Sequence, residues 1–236
     1  MKSYTASLQS TGVNCATVAA TGTAPLAYQW RRNGTNIAGA TGASYGATTD
    51  GSYTVVVSNT AGSVTSSAAT VTVVVPPVIT TQPASVTINQ GQTTTLRVVA
   101  TGTSPTYQWR RDGNSIAGAT ASSYTTGTPG SYSVVVSNAA GSVTSTAATV
   151  TVIVPPTITT QPVGATINQG QSTTLSVQVS GTSPTFRWQR NQSGGWTDIA
   201  GATSISYATG TAGSYRVVVS NAAGSVTSAT ATVTVR

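Results

Sequence analysis

Apolar and polar residues alternate with period two along much of the chain. Leu96, Val98 and Ala100 alternate with Arg97 and Val99, and Leu175, Val177 and Val179 alternate with polar neighbours. This alternation sends one set of side chains inward and the other outward on a half-buried β-strand. Val55 with Val57, and the stretch Ala69–Val73, predict two further strands joined through Asn59-Thr60-Ala61-Gly62. Asn33-Gly34 and Asp112-Gly113 predict two-residue hairpins, because both central positions of the favoured turn need positive φ. Val, Thr, Ser, Ala and Gly dominate and only four Leu occur, so β-formers and turn residues outweigh helix formers. The pattern predicts an all-β protein.

The pattern also repeats. Tyr-Gln-Trp-Arg-Arg stands at Tyr28–Arg32 and Tyr107–Arg111, and Phe-Arg-Trp-Gln-Arg at Phe186–Arg190. Trp30, Trp109 and Trp188 are therefore 79 residues apart in both steps. Gly-Ser-Tyr places Tyr53, Tyr132 and Tyr215 at spacings of 79 and 83; the extra four residues belong to Asn191–Trp196, which replaces the compact turns. About 80 residues holding several short strands point to a β-sandwich. Pro76-Pro77 and Pro155-Pro156 mark the boundaries, giving expected domains at 1–75, 76–154 and 155–236. Paired prolines fix φ and remove donors, so the joints are expected to be short and extended and the array a semi-rigid rod.

These residues resemble the immunoglobulin superfamily, especially the tandem intermediate-set-like modules of bacterial surface proteins and tailed-phage virion proteins. The resemblance assigns Trp30, Trp109 and Trp188 to the core of one strand. It assigns Tyr53, Tyr132 and Tyr215 to a neighbouring strand that ends in an Asn-x-x-Gly turn. The two positions where relatives carry a disulfide hold Val18 and Val55, Val98 and Val134, and Val177 and Val217. The expected fold is thus three tandem Ig-like sandwiches without disulfides. Cys15 lies three residues from Val18, on the opposite alternation. Where the family often has an acid four residues before the tyrosine, Thr49, Thr128 and Thr211 stand instead. Ala6-Ser7-Leu8 looks like Val86-Thr87-Ile88, so the first domain is expected to have a shortened first strand and an open sheet edge.

Charge changes the picture mainly by what it excludes. Charged residues are 6% of the chain, with ten Lys+Arg against three Asp+Glu and no His. Nucleophile–base catalysis lacks its usual base, and Lys2 is the sole lysine. Asp50, Asp112 and Asp198 fall in non-equivalent places, which argues against paired-carboxylate chemistry and against calcium. Zinc lacks His and paired Cys. No enzyme activity, cofactor or metal is expected. No apolar run approaches the ~18 residues of a membrane-spanning helix. Met1–Thr5 lacks the apolar core of a secretion signal. If Met1 is the native start, a virion protein is expected; otherwise a secreted or cell-surface protein, extracytoplasmic in either case.

Two groups of residues are candidates for surface contact. Arg31 and Arg110, with Arg187 and the adjacent Arg216, are expected to face outward where Trp30, Trp109 and Trp188 face inward. They either meet phosphates or acidic sugars, or simply solvate the sheet and protect its edge. Trp196 either projects from a hairpin tip to stack on a sugar or protein, or folds back on its own sheet. Tyr45, Tyr124 and Tyr207, eight residues before the strand tyrosines, suit core packing. Asn33-Gly34-Thr35 and Asn191-Gln192-Ser193 are glycosylation sequons of low specificity.

The leading functional expectation is a structural or adhesive fibre on a phage particle or bacterial surface, presenting weak multivalent contacts to a protein or glycan. The alternative is a spacer or carbohydrate-binding accessory module of a larger secreted enzyme. Strand complementation at the first domain would allow self-assembly. Nucleic acid ranks last as a partner, because base-stacking aromatics are not interleaved with the arginines.

Overall fold

The computed structural model describes residues 7–10, 15–192 and 194–236, with side chains described from residue 16 onward. Met1–Thr5, Ala6 and Ser193 of the second sequon lie outside them. The chain divides into two compact units, Met1–Pro76 and Pro77–Arg236. Among the described residues, three separate hydrophobic cores are present, one in the first unit and two in the second.

The repeat beginning at Pro77 shows the plan. Its larger sheet orders the strands Val86–Asn89, Ala148–Ile153, Gly130–Asn138, Thr106–Arg111 and Asn114–Ser115, with Gly141–Thr144 also on Gly130–Asn138. Neighbours are antiparallel except Val86–Asn89, which runs parallel to Ala148–Ile153. Opposite lie two pairs, Thr94–Arg97 with Ser123–Thr126 and Val78–Thr81 with Val99–Thr101. The last repeat has the same connectivity, from Thr157–Thr160 to Ala231–Val235.

Two sequence expectations need correction. The single alternating strand read across Leu96–Ala100 is two strands that change partner at Val98, whose amide bonds instead to Ser122 O. A register shift at Val99 leaves that valine exposed. The likeness of Ser7-Leu8 to Thr87-Ile88 also fails at the level of pairing. Ser7–Ser10 forms an antiparallel ladder with Cys15–Ala19, whereas Val86–Asn89 crosses to the other sheet. The last strand of the first repeat, Ala69–Val71, is three residues long against six in Ala148–Ile153. A short strand follows where no parallel neighbour among the described residues extends it.

Each core is built around one indole. Trp30, Trp109 and Trp188 are fully buried, as are Val55, Val134 and Val217, and Tyr53, Tyr132 and Tyr215 nearly so. The valines at the expected disulfide positions share these cores. Each indole N–H donates to a backbone carbonyl: Trp30 to Gly42 at 2.9 Å, Trp109 to Ala121 and Trp188 to Ser204 at 3.0 Å. Tyr45, Tyr124 and Tyr207 lie between the indole and the strand tyrosine, with ring centroids 5.9–6.1 Å apart. Such aromatic pairs add about 0.5–1.5 kcal/mol each beyond burial.

Each strand tyrosine hydroxyl donates to the carbonyl four residues upstream, at Thr49, Thr128 or Thr211. The bond uses the backbone oxygen of that position, so it does not depend on an acidic side chain there. In the later two repeats the Thr126 and Thr209 hydroxyls also bond the phenol. Because the phenol has spent its proton, the threonine donates, and it accepts from the amide two residues on. Buried Ser66, Ser145 and Ser228 each accept from the core valine amide and donate to a neighbouring carbonyl.

Within the second unit, the strand ending at Ile153 continues into a stitched joint. Val154 N donates to Thr182 Oγ1 and Thr182 N donates to Val154 O, both at 3.0 Å. Asn221 Nδ2 donates to Val154 O and to Thr182 O. A Cβ on Gly181 would stand 2.9 Å from Pro155 O, so only glycine allows this approach.

Trp109→Phe removes the hydrogen bond to Ala121 O and shrinks a fully buried side chain. We expect a loss of about 1–3 kcal/mol, and about 3–5 kcal/mol for Trp109→Ala. Faster amide exchange at Val134 and Val136 in both variants is the check; unchanged protection would show that the indole does not hold this sheet.

Candidate functional site

The inserted residues of the last repeat lengthen the tryptophan strand to Thr185–Gln192, eight residues against six in Thr106–Arg111. Its partner grows to Gly195–Asp198, four residues against two. Register places Asn191 opposite Trp196, and Gln189 opposite both Asp198 and Arg216. With Trp188 inward, alternation brings Arg187, Gln189, Trp196, Asp198 and Arg216 to the outer face.

These side chains form one connected network. Arg216 Nε donates to Gln189 Oε1 and Gln189 Nε2 to Asp198 Oδ1, both at 2.7 Å. Arg187 Nε lies 3.3 Å from Asp198 Oδ2, with both side chains about half exposed. The Arg216 guanidinium stands 4.2 Å from the Trp196 ring centroid. Trp196 is half-buried within the hairpin strand, so of its two readings the structure shows the fold-back onto its own sheet. A cation–π contact at such a site is worth about 0.5–1 kcal/mol, and an exposed ion pair about 0–1 kcal/mol. The network therefore positions groups more than it stabilises the fold.

The arginines do not make one equivalent series. Arg187 takes the register position of Gln29 and Gln108, and Arg216 that of Thr54 and Ser133. Gln29 Nε2 donates to Trp30 O and Ile37 O, and Gln108 Nε2 to Trp109 O and Ile116 O, which ties the edge hairpin to the sheet. Arg31 Nε donates to Asn36 Oδ1 at 2.8 Å. The corresponding residue in the second repeat is Ser115, which is too short to reach, and Arg110 Nε is buried without a partner.

A second set of arginines escaped the sequence reading. Arg32 and Arg111 follow Arg31 and Arg110, and their stems lie over Gly51 and Gly130. A Cβ on either glycine would stand 3.0 Å from the arginine Cγ. Each arginine lines an open cleft, of about 350 Å³ in the first repeat and about 290 Å³ in the second. The available signal was the pairing of the second Arg in Tyr-Gln-Trp-Arg-Arg with the glycine of Gly-Ser-Tyr. In the last repeat the matching Arg190 instead donates to Ala212 O, 5.9 Å from the Tyr215 ring.

The aspartates serve local structure. Asp50 accepts from Val73 N, Asp112 from Ser131 N, and Asp198 belongs to the outer network. Among the described residues, no three His, Cys, Asp or Glu gather as a metal site, and no helix is long and apolar enough to cross a membrane.

The orphaned Arg110 Nε supplies a direct test. Ser115→Asn should restore the bond seen at Arg31 and stabilise the second repeat by about 0.5–1.5 kcal/mol. Chemical denaturation followed at the Trp109 indole resonance reads the change; no gain would show that water already satisfies the group.

Residues 76–146 match the family described as the immunoglobulin domain. Endoglucanase C of Cellulomonas fimi is 44% identical over 86 residues, which are 34% of this chain and 8% of that protein's length. Among solved structures, the titin I-band fragment I67–I69 aligns with a TM-score of 0.71 at 20% identity, covering 94% of this chain and 92% of its own. The N-terminal eight Ig domains of Down Syndrome Cell Adhesion Molecule align at 0.60 and 19%, covering 94% and 34%. The structural likenesses are likenesses of fold. Together with the match at residues 76–146, they show that the chain has the fold of tandem, all-β, immunoglobulin-like sandwiches.

Proposed function

We propose that this chain is a non-catalytic module array of a larger secreted or surface-displayed protein, spacing its neighbours and making weak contacts with polysaccharide. One observation carries the proposal. A stretch of 86 residues, about one repeat long, is shared at 44% identity with an endoglucanase most of whose length lies elsewhere. A unit of domain size found in such company is a transferable module, and its own interior is filled by the indole and its tyrosines rather than shaped as a substrate cavity.

The adhesive-fibre reading stays beside it as the second. It draws on the recurrence of Arg32 and Arg111 at one place in successive repeats, since repeated weak sites raise avidity without any strong individual contact. The two readings differ in what the chain is attached to, and both make it non-catalytic.

Co-sedimentation with insoluble cellulose and with a cross-linked pectate gel separates them. Retention on one of these at low salt, with no release of reducing ends, is the expected result. Retention on neither, together with binding to whole bacterial cells, would replace the module reading by the fibre reading. Release of reducing ends would overturn both.

A further inference from the structure

The two arginine clefts occupy the same place in successive repeats and are built the same way. The first is lined by Arg32, Asn33, Ile37, Tyr45 and Thr49, the second by Arg111, Asp112, Ile116 and Tyr124. Three features shape the walls of each cleft. The hairpin residue Asn33 or Asp112 sits at φ 50° and accepts from Ser52 N or Ser131 N at 2.9 Å. The arginine stem lies close over a glycine, where an added Cβ would stand 3.0 Å from the arginine Cγ. The tyrosine is fixed from behind by its contacts with the indole and the strand tyrosine.

The lining combines a cation with an apolar and aromatic wall, an amide or carboxylate, and hydroxyls. A guanidinium recognises a carboxylate through parallel N–H bonds. A tyrosine ring and an isoleucine accept the apolar face of a saturated ring. Volumes of about 290 and 350 Å³ fall at the small end of ligand sites, the scale of one ring with its substituents. We propose that each cleft is a subsite for one uronic-acid unit of an acidic polysaccharide, an assignment that rests on the polysaccharide-contact function above.

The clefts differ in one charge. Arg111 Nε lies 3.6 Å from Asp112 Oδ2, an ion pair about half exposed on both sides. Arg32 has the neutral Asn33 at that position. An incoming carboxylate therefore meets a guanidinium with no ion-pair partner at the hairpin position in the first repeat and a partly neutralised one, with a like charge beside it, in the second. The first cleft binds more tightly, and added salt weakens both.

Titration of the full chain with trigalacturonate, followed at the Ser52 and Ser131 amide resonances, tests the assignment cleft by cleft. Both amides shift, the first at a several-fold lower concentration. Arg32→Gln weakens the first cleft about tenfold and leaves the second unchanged, and Arg111→Gln does the converse. Asp112→Asn tightens the second cleft and Asn33→Asp weakens the first. Both exchanges keep the acceptor for the serine amide and a residue that tolerates positive φ, so unchanged spectra elsewhere certify the fold. Equal shifts with cellotriose, or equally tight binding of acetate, would overturn the proposal, the first by removing the charge requirement and the second by removing the sugar. If the chain is retained on pectate and the double Arg→Gln variant is retained equally, the clefts fall while the module function stands. If the chain is retained on no polysaccharide and trigalacturonate shifts neither amide, both fall.

Discussion

An indole sealed from water, with its one proton given to a backbone carbonyl, is the contact on which each sandwich depends. Trp30, Trp109 and Trp188 reach across from the larger sheet and bond the segment leading into the opposite one, at Gly42, Ala121 and Ser204. The tyrosine between the indole and the strand tyrosine then closes the interior from the side. A disulfide between the sheets of a small domain commonly contributes 2–5 kcal/mol, largely by restricting the unfolded chain. Val18 with Val55, and its two counterparts, cannot supply that restriction. Stability here comes instead from native contacts: dispersion among close-packed aliphatics, stacked rings, and a polar atom on every buried aromatic that meets a partner.

Fixing the interior in this way leaves the outer face free to change. Between repeats the same register position carries Gln29, Gln108 and Arg187, or Thr54, Ser133 and Arg216, while the residues on the inward alternation hardly vary. Period-two alternation separates the two sets: a change at an outward position alters charge and hydrogen bonding without entering the core. The four extra residues of the last repeat follow the same rule. They extend two strands beyond the sheet rather than perturbing it, and Arg216 of the neighbouring strand lies over Trp196 on the extension.

The interior was legible in the sequence because its signals recur three times at nearly constant spacing, and Trp, Tyr and Val at alternating positions have few other ways to be buried. What was hidden involved pairing between distant segments. Alternation across Leu96–Ala100 describes which side chains face inward but not the change of partner at Val98. Ser7-Leu8 has the composition of Thr87-Ile88, yet a short strand goes to whichever ladder is offered, here Cys15–Ala19. The tyrosine–carbonyl bond at Thr49, Thr128 and Thr211 leaves no trace in side-chain identity, since a backbone oxygen accepts. The surface was least legible. Arg31 and Arg110 look identical in sequence, and only the exchange of Asn36 for Ser115 separates a bonded guanidinium from an orphaned one. Arg32 and Arg111 are marked in the sequence only by the recurrence of the second Arg and of Gly-Ser-Tyr; that the arginine stem crosses this glycine is a feature of three dimensions.

Hydrogen exchange at the four indole N–H groups tests the central claim most directly. Three are expected to exchange only when their sandwich opens, with the slow, cooperative rates of a global event. The fourth, that of Trp196 on the outer face, is expected to exchange orders of magnitude faster. Two or more rapidly exchanging indoles in the native chain would mean that at least one sandwich is not built around its tryptophan, and would contradict the account.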